Sequence, residues 1–218
     1  MNETRTVRVT GKDMIRLKPD TVRITVTLEG MEPDYADTLR RSAADTETIR
    51  NTVGAIGFAH EDLKTLNFNV QTEYEGYQED GVYRQRLIGY RFRHELMLEF
   101  PRDDERLGAV LSAISDTALA PELRIAYTVK DREASKNALI ALAVADAKAK
   151  AEALAAAADV KLKGIRHIHY AIGENEFAVH PVLYAGMSRK MSADNAAMRI
   201  VPEEITAEDA VTVVWEIE

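Results

Sequence analysis

At 218 residues the chain is long enough to bury a sizeable core, roughly 70% of the surface its unfolded form exposes. A net charge of −8 repels phosphate backbones and anionic membrane surfaces, so neither nucleic acid nor a membrane is an expected partner. With 46% hydrophobic and 29% charged residues the composition is that of an ordinary globular protein, and the absence of cysteine excludes disulfides, thiolate nucleophiles and Cys-ligated metal sites.

The first residues, Met1-Asn2-Glu3-Thr4-Arg5, pass directly into a strand pattern without the basic start and apolar run of a secretory signal. As written, the chain is expected in the cytoplasm; a signal removed upstream would make it periplasmic or surface-associated. Val7 and Val9 alternate with polar neighbours, and a break is expected around Gly11-Lys12-Asp13. After Pro19-Asp20, the alternation of Val22, Ile24, Val26 and Leu28 with Thr21, Arg23, Thr25 and Thr27 predicts a half-buried strand. Asp34 is a plausible N-cap for a helix over 34–56, with Leu39, Ala43, Ile49 and Val53 as its apolar positions.

Alternation returns over 63–74, and a second strand follows over 87–100. The turn-rich stretch 75–81 between them predicts an antiparallel pair joined by a long, exposed hairpin loop. In the second strand Tyr90, Phe92, His94, Leu96, Leu98 and Phe100 share one face, and Arg91, Arg93, Glu95 and Glu99 the other. Pro101 stops it, and Asp103 and Asp104 open a short helix bearing Leu107, Val110, Leu111 and Ile114. A short strand over 123–129 leads to Asp131, which caps the longest helix, 131–158. Alanine fills about half of that helix, and Leu139, Leu142 and Leu154 mark its apolar side. A strand over 164–172, a loop over 173–205 and a final strand bearing Val211, Val213, Trp215 and Ile217 complete the chain. So long a loop is functional, an interface, or mobile.

Five segments occur in the order of a SIMPL-domain protein: VRVTGKDMIRLKPDTVRITVTLEG, LKTLNFNVQTEYE, IGYRFRHELMLEF, the Ala-rich ALIALAVADAKAKAEALAAAADVKLKGI, and the closing VPEEITAEDAVTVVWEIE. Pro19-Asp20 before a strand and the Gly89-Tyr90 pair add to the likeness. The chain thus resembles, over nearly its whole length, a family long catalogued as a domain of unknown function. That resemblance implies an α+β fold and, in bacterial relatives, a signal peptide with periplasmic or surface location. It also implies large closed homo-oligomers for some members and proposed roles in oxidative-stress protection, with a pelle-like kinase as partner of a mammalian member. It supplies no catalytic residues.

The residues themselves point the same way. His167 and His169 lie on one strand face and with His180 could present imidazoles to a divalent metal; against this stands a plain solvated face with Ile168, Tyr170 and Ile172 buried behind it. His94 on an apolar face reads as a hydrogen-bonded core histidine before a general base. Asp103, Asp104 and Glu105 cluster as acid/base carboxylates do, yet a helix start explains them. Phosphate-cradle, nucleophile-elbow and zincin motifs are missing. No catalytic, cofactor-binding or metal-binding residue is therefore assigned.

The expected fold is α+β: an antiparallel-rich sheet packed against two long helices and one shorter one. It forms a single domain, or two intimately packed halves. The expected function is non-enzymatic and self-assembling, in stress protection or scaffolding, with a small-molecule or peptide-binding module and a motif-less enzyme as alternatives. Candidate contacts of the homo-oligomer are Tyr184, Met187, Arg189, Met191 and Met198 in the long loop, where adaptable methionines suit an interface, and the hairpin tip at Gly76–Gly81.

Overall fold

A computed structural model describes residues 5–170, 177–180 and 201–218. In chain order the elements are β1 (Thr6–Leu17), β2 (Thr21–Glu32), α1 (Tyr35–Ala55), β3 (Leu63–Glu79), β4 (Val82–Pro101), α2 (Asp104–Ser115), β5 (Glu122–Thr128), α3 (Arg132–Ala157), β6 (Leu162–Tyr170), β7 (Ala178–Val179) and β8 (Ile205–Ile217). The fold class is α+β, and the pairs β1–β8, β6–β8, β2–β4 and β3–β4 are all antiparallel. The chain divides into two compact units, Met1–Pro19 with Thr128–Val179 and Glu203–Glu218, and Asp20–Tyr127 with His180–Pro202. The strands accordingly build two sheets where the alternation suggested one, since period-2 patterning names the buried face of a strand but not its neighbour.

The first unit carries a sheet of order β1-β8-β6 covered by α3. Odd-numbered residues of β1 and β8 face inward: Val9, Val211, Val213 and Trp215 pack against Ala143, Ala147 and Ala151. Val129, Leu139, Phe177, Ile205 and Ala207 form a second cluster. The helix buries Leu139, Ala143, Ala147, Ala151 and Ala155, one residue per turn, and leaves Leu142 and the 51%-exposed Leu154 outside. Of the leucines that hydrophobicity picks out, Leu139 is therefore on the buried face and the rest of that face is alanine.

Gly11 explains the choice. Strand β1 runs unbroken through it, and a Cβ there would lie 2.0 Å from the Ala143 carbonyl oxygen and 2.7 Å from the Ala147 methyl. A helix this close to a strand accepts nothing larger than alanine on one side and glycine on the other. Asp131 caps α3 by accepting from the Ala134 N–H at 2.8 Å, and Asp146 ties the helix to β1 by accepting the Lys12 backbone N–H at 2.8 Å.

In the second unit β3, β4, β2 and β5 lie in that order, with α1 packed on β2 and β4 and α2 beside α1. Val22, Ile24, Val26 and Leu28 of β2 are buried with Phe92, Leu96, Leu98 and Phe100 of β4. Phe58 meets Phe100 edge-on at 5.3 Å, and Arg106 lies 4.0 Å over the Phe58 ring. The buried face of α1 is Thr38, Ser42, Thr46, Ile49 and Val53. Its first three turns are lined with hydroxyls where Leu39 and Ala43 were expected, and Leu39 is exposed. Thr38 donates its hydroxyl to the Asp34 and Tyr90 carbonyls, and Ser42 and Thr46 meet His94, so the polar atoms on this face have partners.

Strands β3 and β4 are longer than the alternation suggested. Both continue through the stretch expected as a loop and are joined by a two-residue turn, Asp80-Gly81, with φ of 51° and 79°. Positive φ at both positions is the turn that matches strand twist, and Asp-Gly is a preferred pair for it. Gly76, a turn signal in the sequence, sits within β3, where the Tyr83 hydroxyl lies over it and would meet a Cβ at 1.9 Å.

Substituting Gly11→Ala should lower stability by at least about 2 kcal/mol, because the clash is with backbone and cannot be rotated away. Gly108→Ala, in α2 with nothing within 4 Å of the added Cβ, should instead raise stability by about 0.5–1 kcal/mol. Urea denaturation of the two variants beside the parent checks both signs.

Candidate functional site

The residues with the chemistry of a site are dispersed by the fold. Asp103 caps α2, its Oδ1 accepting the Glu105 and Arg106 backbone N–H groups at 3.0 Å each, while Asp104 and Glu105 occupy the first turn. His167 and His169 pair with Val214 and Thr212 on the outward face of the first unit's sheet, with ring centroids 6.0 Å apart. Ile168, expected on a buried face, is exposed, because β6 is an edge strand at the margin of the helix-covered area. Among the described residues no group of three or more His, Asp or Glu side chains is arranged to hold a metal ion. Tyr184, Met187, Arg189, Met191, Met198 and Ile172 lie outside the described residues, as does most of the 173–205 stretch.

His94 is held by three hydroxyls. Its Nδ1 lies 3.1 Å from Thr46 Oγ1 and 3.2 Å from Ser42 Oγ, and its Nε2 lies 3.0 Å from Thr65 Oγ1. Thr46 already donates its hydroxyl proton to the Ser42 carbonyl at 2.7 Å, so it can only accept from the ring. That places the proton on Nδ1 and makes Nε2 the acceptor of the Thr65 hydroxyl. Phe68 packs edge-on against the imidazole at 5.0 Å. Burial, and secondarily the Arg50 charge, hold its pKa below the ordinary histidine value, so the ring is neutral and its bonding capacity is spent on the fold.

Sequence patterning missed a carboxylate pair on the inner face of the first unit's sheet. Asp13 and Asp209 are directly opposed in the β1–β8 ladder. Asp209, 9% exposed, accepts the Tyr170 hydroxyl at 2.8 Å, and that bond is the main cause raising the Tyr170 pKa. The two aspartates line an open depression with Lys12, Met14, Glu208 and Ala210. Their odd-numbered, in-phase positions among the inward valines were the available signal. The Asp13 and Asp209 carboxylates also accept backbone N–H groups, from Met14 at 2.7 Å and Ala210 at 2.8 Å, which satisfies them without a ligand.

The most unusual surface belongs to β3 and β4. The ladder with β2 covers β4 only from Tyr90 to Pro101, so residues 73–89 form a two-stranded ribbon with no third strand among the described residues. Every residue from 74 to 88 is exposed. One ribbon face is ion-paired, Glu75 with Arg86 at 2.6 Å and Glu79 with Arg84 at 2.9 Å, with Tyr77 and Val82 between. The other, made by the pairs Tyr74–Leu87, Gly76–Gln85 and Gln78–Tyr83, carries no charge. Nearer the helix-covered part, Arg91 pairs with Glu73 at 2.6 Å, and Arg93 pairs with Glu29 and with Glu95 at 3.2 Å. The arginines of 84–93 are thereby compensated and make no basic stripe.

These elements define an α+β protein of antiparallel sheets backed by helices, with a two-stranded ribbon continuing from β3 and β4. The chain belongs to the SIMPL family, a protein of unknown function (DUF541), whose family model matches residues 7–215. A search of curated proteins gave no match. No helix among the described residues is long and apolar enough to cross a membrane.

The lowered His94 pKa has a consequence for stability. The unfolded chain takes up this proton near pH 6.5, and the folded one only at lower pH. Stability from this residue is therefore full above about pH 6.5 and falls as the pH drops towards the folded pKa. His94→Gln should flatten the loss of urea resistance between about pH 7 and pH 5. Parallel pH profiles in parent and variant would contradict the assignment.

Proposed function

We propose that the protein is a non-enzymatic, self-assembling member of the SIMPL family that serves as a scaffold or in protection under stress. The observation that carries this reading is the 73–89 ribbon, with Tyr74, Tyr83 and Leu87 exposed on an uncharged face. Two strands alone are marginal in water, and their apolar side chains gain by burial against a partner. For a chain of net charge −8, a second copy approaches with least repulsion over a face without charges. Tyr83, 69% exposed, has the amphipathic ring that interfaces favour. Tyr184, Met187, Arg189, Met191 and Met198 enter the same reading on their sequence alone, as further contacts.

Size-exclusion chromatography with light scattering should give a mass of more than one subunit at high micromolar concentration. Tyr83→Lys with Leu87→Lys should lower it with the circular dichroism unchanged, and deletion of residues 184–198 should lower it as well. A parent protein that stays monomeric would refute assembly. Variants that keep the parent mass would refute the surface each one alters.

A further inference from the structure

Strand β3 is the edge of its sheet: β4 holds one side, and among the described residues no strand pairs with the other. Natural edges of this length are blunted by proline, by charges on the inward face or by repeated bulges. The exposed edge β6 shows such blunting, with Lys163 and Arg166 and two register shifts in nine residues. Strand β3 runs for seventeen residues without proline. The face on which Phe68 meets His94 continues through Val70, Thr72 and Tyr74, none charged and all but Val70 exposed. Its own extra residue, Leu66, lies near its start; the second register shift of this ladder, between Glu73 and Tyr74, comes from an extra residue on β4, Ile88, so β3 itself inserts no residue between Asn67 and Glu79.

We infer that this edge pairs antiparallel with the same edge of a second copy, residues 67–75 of each, with Gln71 opposite Gln71 on the two-fold axis. The inference rests on the self-assembly proposed above and adds the contact by which two copies join. In this register Phe68 of one copy meets Tyr74 of the other, and Val70 meets Thr72, so the apolar row of each strand continues across the junction. On the opposite face Glu73 and Glu75 come opposite Asn69 and Asn67 of the second copy. Those amides can donate to a carboxylate, and no like charges meet.

Longer slides are restricted in both directions. Moving the axis two residues towards the turn, to Glu73, sets Glu73 against Glu73. Moving it two residues the other way, to Asn69, takes the pairing through the bulge at Leu66. The strand thus carries, in its own sequence, both the attraction to a second copy and limits on how far its register can slide.

Gln71 is exposed, and its side chain donates a 3.4 Å hydrogen bond to Glu73 on the same strand, so charge can be placed there without disturbing the core. Gln71→Lys and Gln71→Glu should each weaken the subunit contact at least about tenfold, seen as a lower mass by light scattering at fixed concentration. An equimolar mixture of the two should restore the parent mass, because lysine then faces glutamate. Circular dichroism of each variant should match the parent. A parent that is monomeric would defeat the self-assembly reading and this inference with it. An oligomeric parent whose mass neither variant changes would defeat the edge pairing alone. Variants that lose mass but are not rescued on mixing would equally overturn the two-fold register at Gln71.

Discussion

Backbone N–H and C=O groups must be paired or solvated, and in this protein strand β4 outruns the strand that pairs with it. Twenty residues long, it is flanked on both sides, among the described residues, from Tyr90 to Leu98, where β2 and β3 both reach it. Alongside β2 it carries Phe92, Leu96, Leu98 and Phe100 into the core, with His94 between them held by Ser42, Thr46 and Thr65. Beyond Gly89 the same strand keeps β3 alone among the described residues, and the burial falls away at once: Gly89 is buried and Ile88 exposed. One strand is thus half core and half surface ribbon. Gly89 sits at the change, with φ of 152° and the Glu32 carbonyl 2.5 Å from where a Cβ would be.

The first unit solves its packing differently. Its helix approaches β1 through Gly11 and an alanine in every turn, so the contact is close and uniform, and specificity comes from shape rather than side-chain size. Asp146, anchored to the Lys12 N–H and ion-paired with Lys150 at 2.6 Å, pins the helix at the level of the glycine. The carboxylates Asp13 and Asp209 then fall where the alanine seam gives way to the second apolar cluster, and Tyr170 supplies the hydrogen bond that keeps Asp209 satisfied. In the second unit the hydroxyls of Ser42, Thr46 and Thr65 meet the His94 imidazole, and those contacts tie α1 and β3 to β4.

Much of this was legible in the sequence because strands and caps write themselves locally. The alternation in β2 and in the second half of β4, and the caps Asp103 and Asp131, depend on neighbours two to four residues away. What escaped depends on contacts distant in sequence. Leu142 and Leu154 outrank alanine on any hydrophobicity scale, yet Gly11, more than a hundred residues upstream, admits only alanine. Thr38, Ser42 and Thr46 read as a polar face until His94 and the Tyr90 carbonyl are set opposite them. Gly76 and Gly81 look alike as turn signals, and only Gly81 is in the turn; the other makes room for Tyr83. Asp13 and Asp209 carried a signal in their phase, which charge alone obscured.

The central claim is that the exposed ribbon and the edge of β3 are where one copy of this chain meets another. Amide hydrogen exchange, followed in the same buffer at low and at high protein concentration, addresses that surface directly. The account predicts that residues 67–79 and 82–89 gain protection as the concentration rises, while the amides of β2, already paired, do not change. Exchange in the ribbon that is equally fast at both concentrations would contradict it.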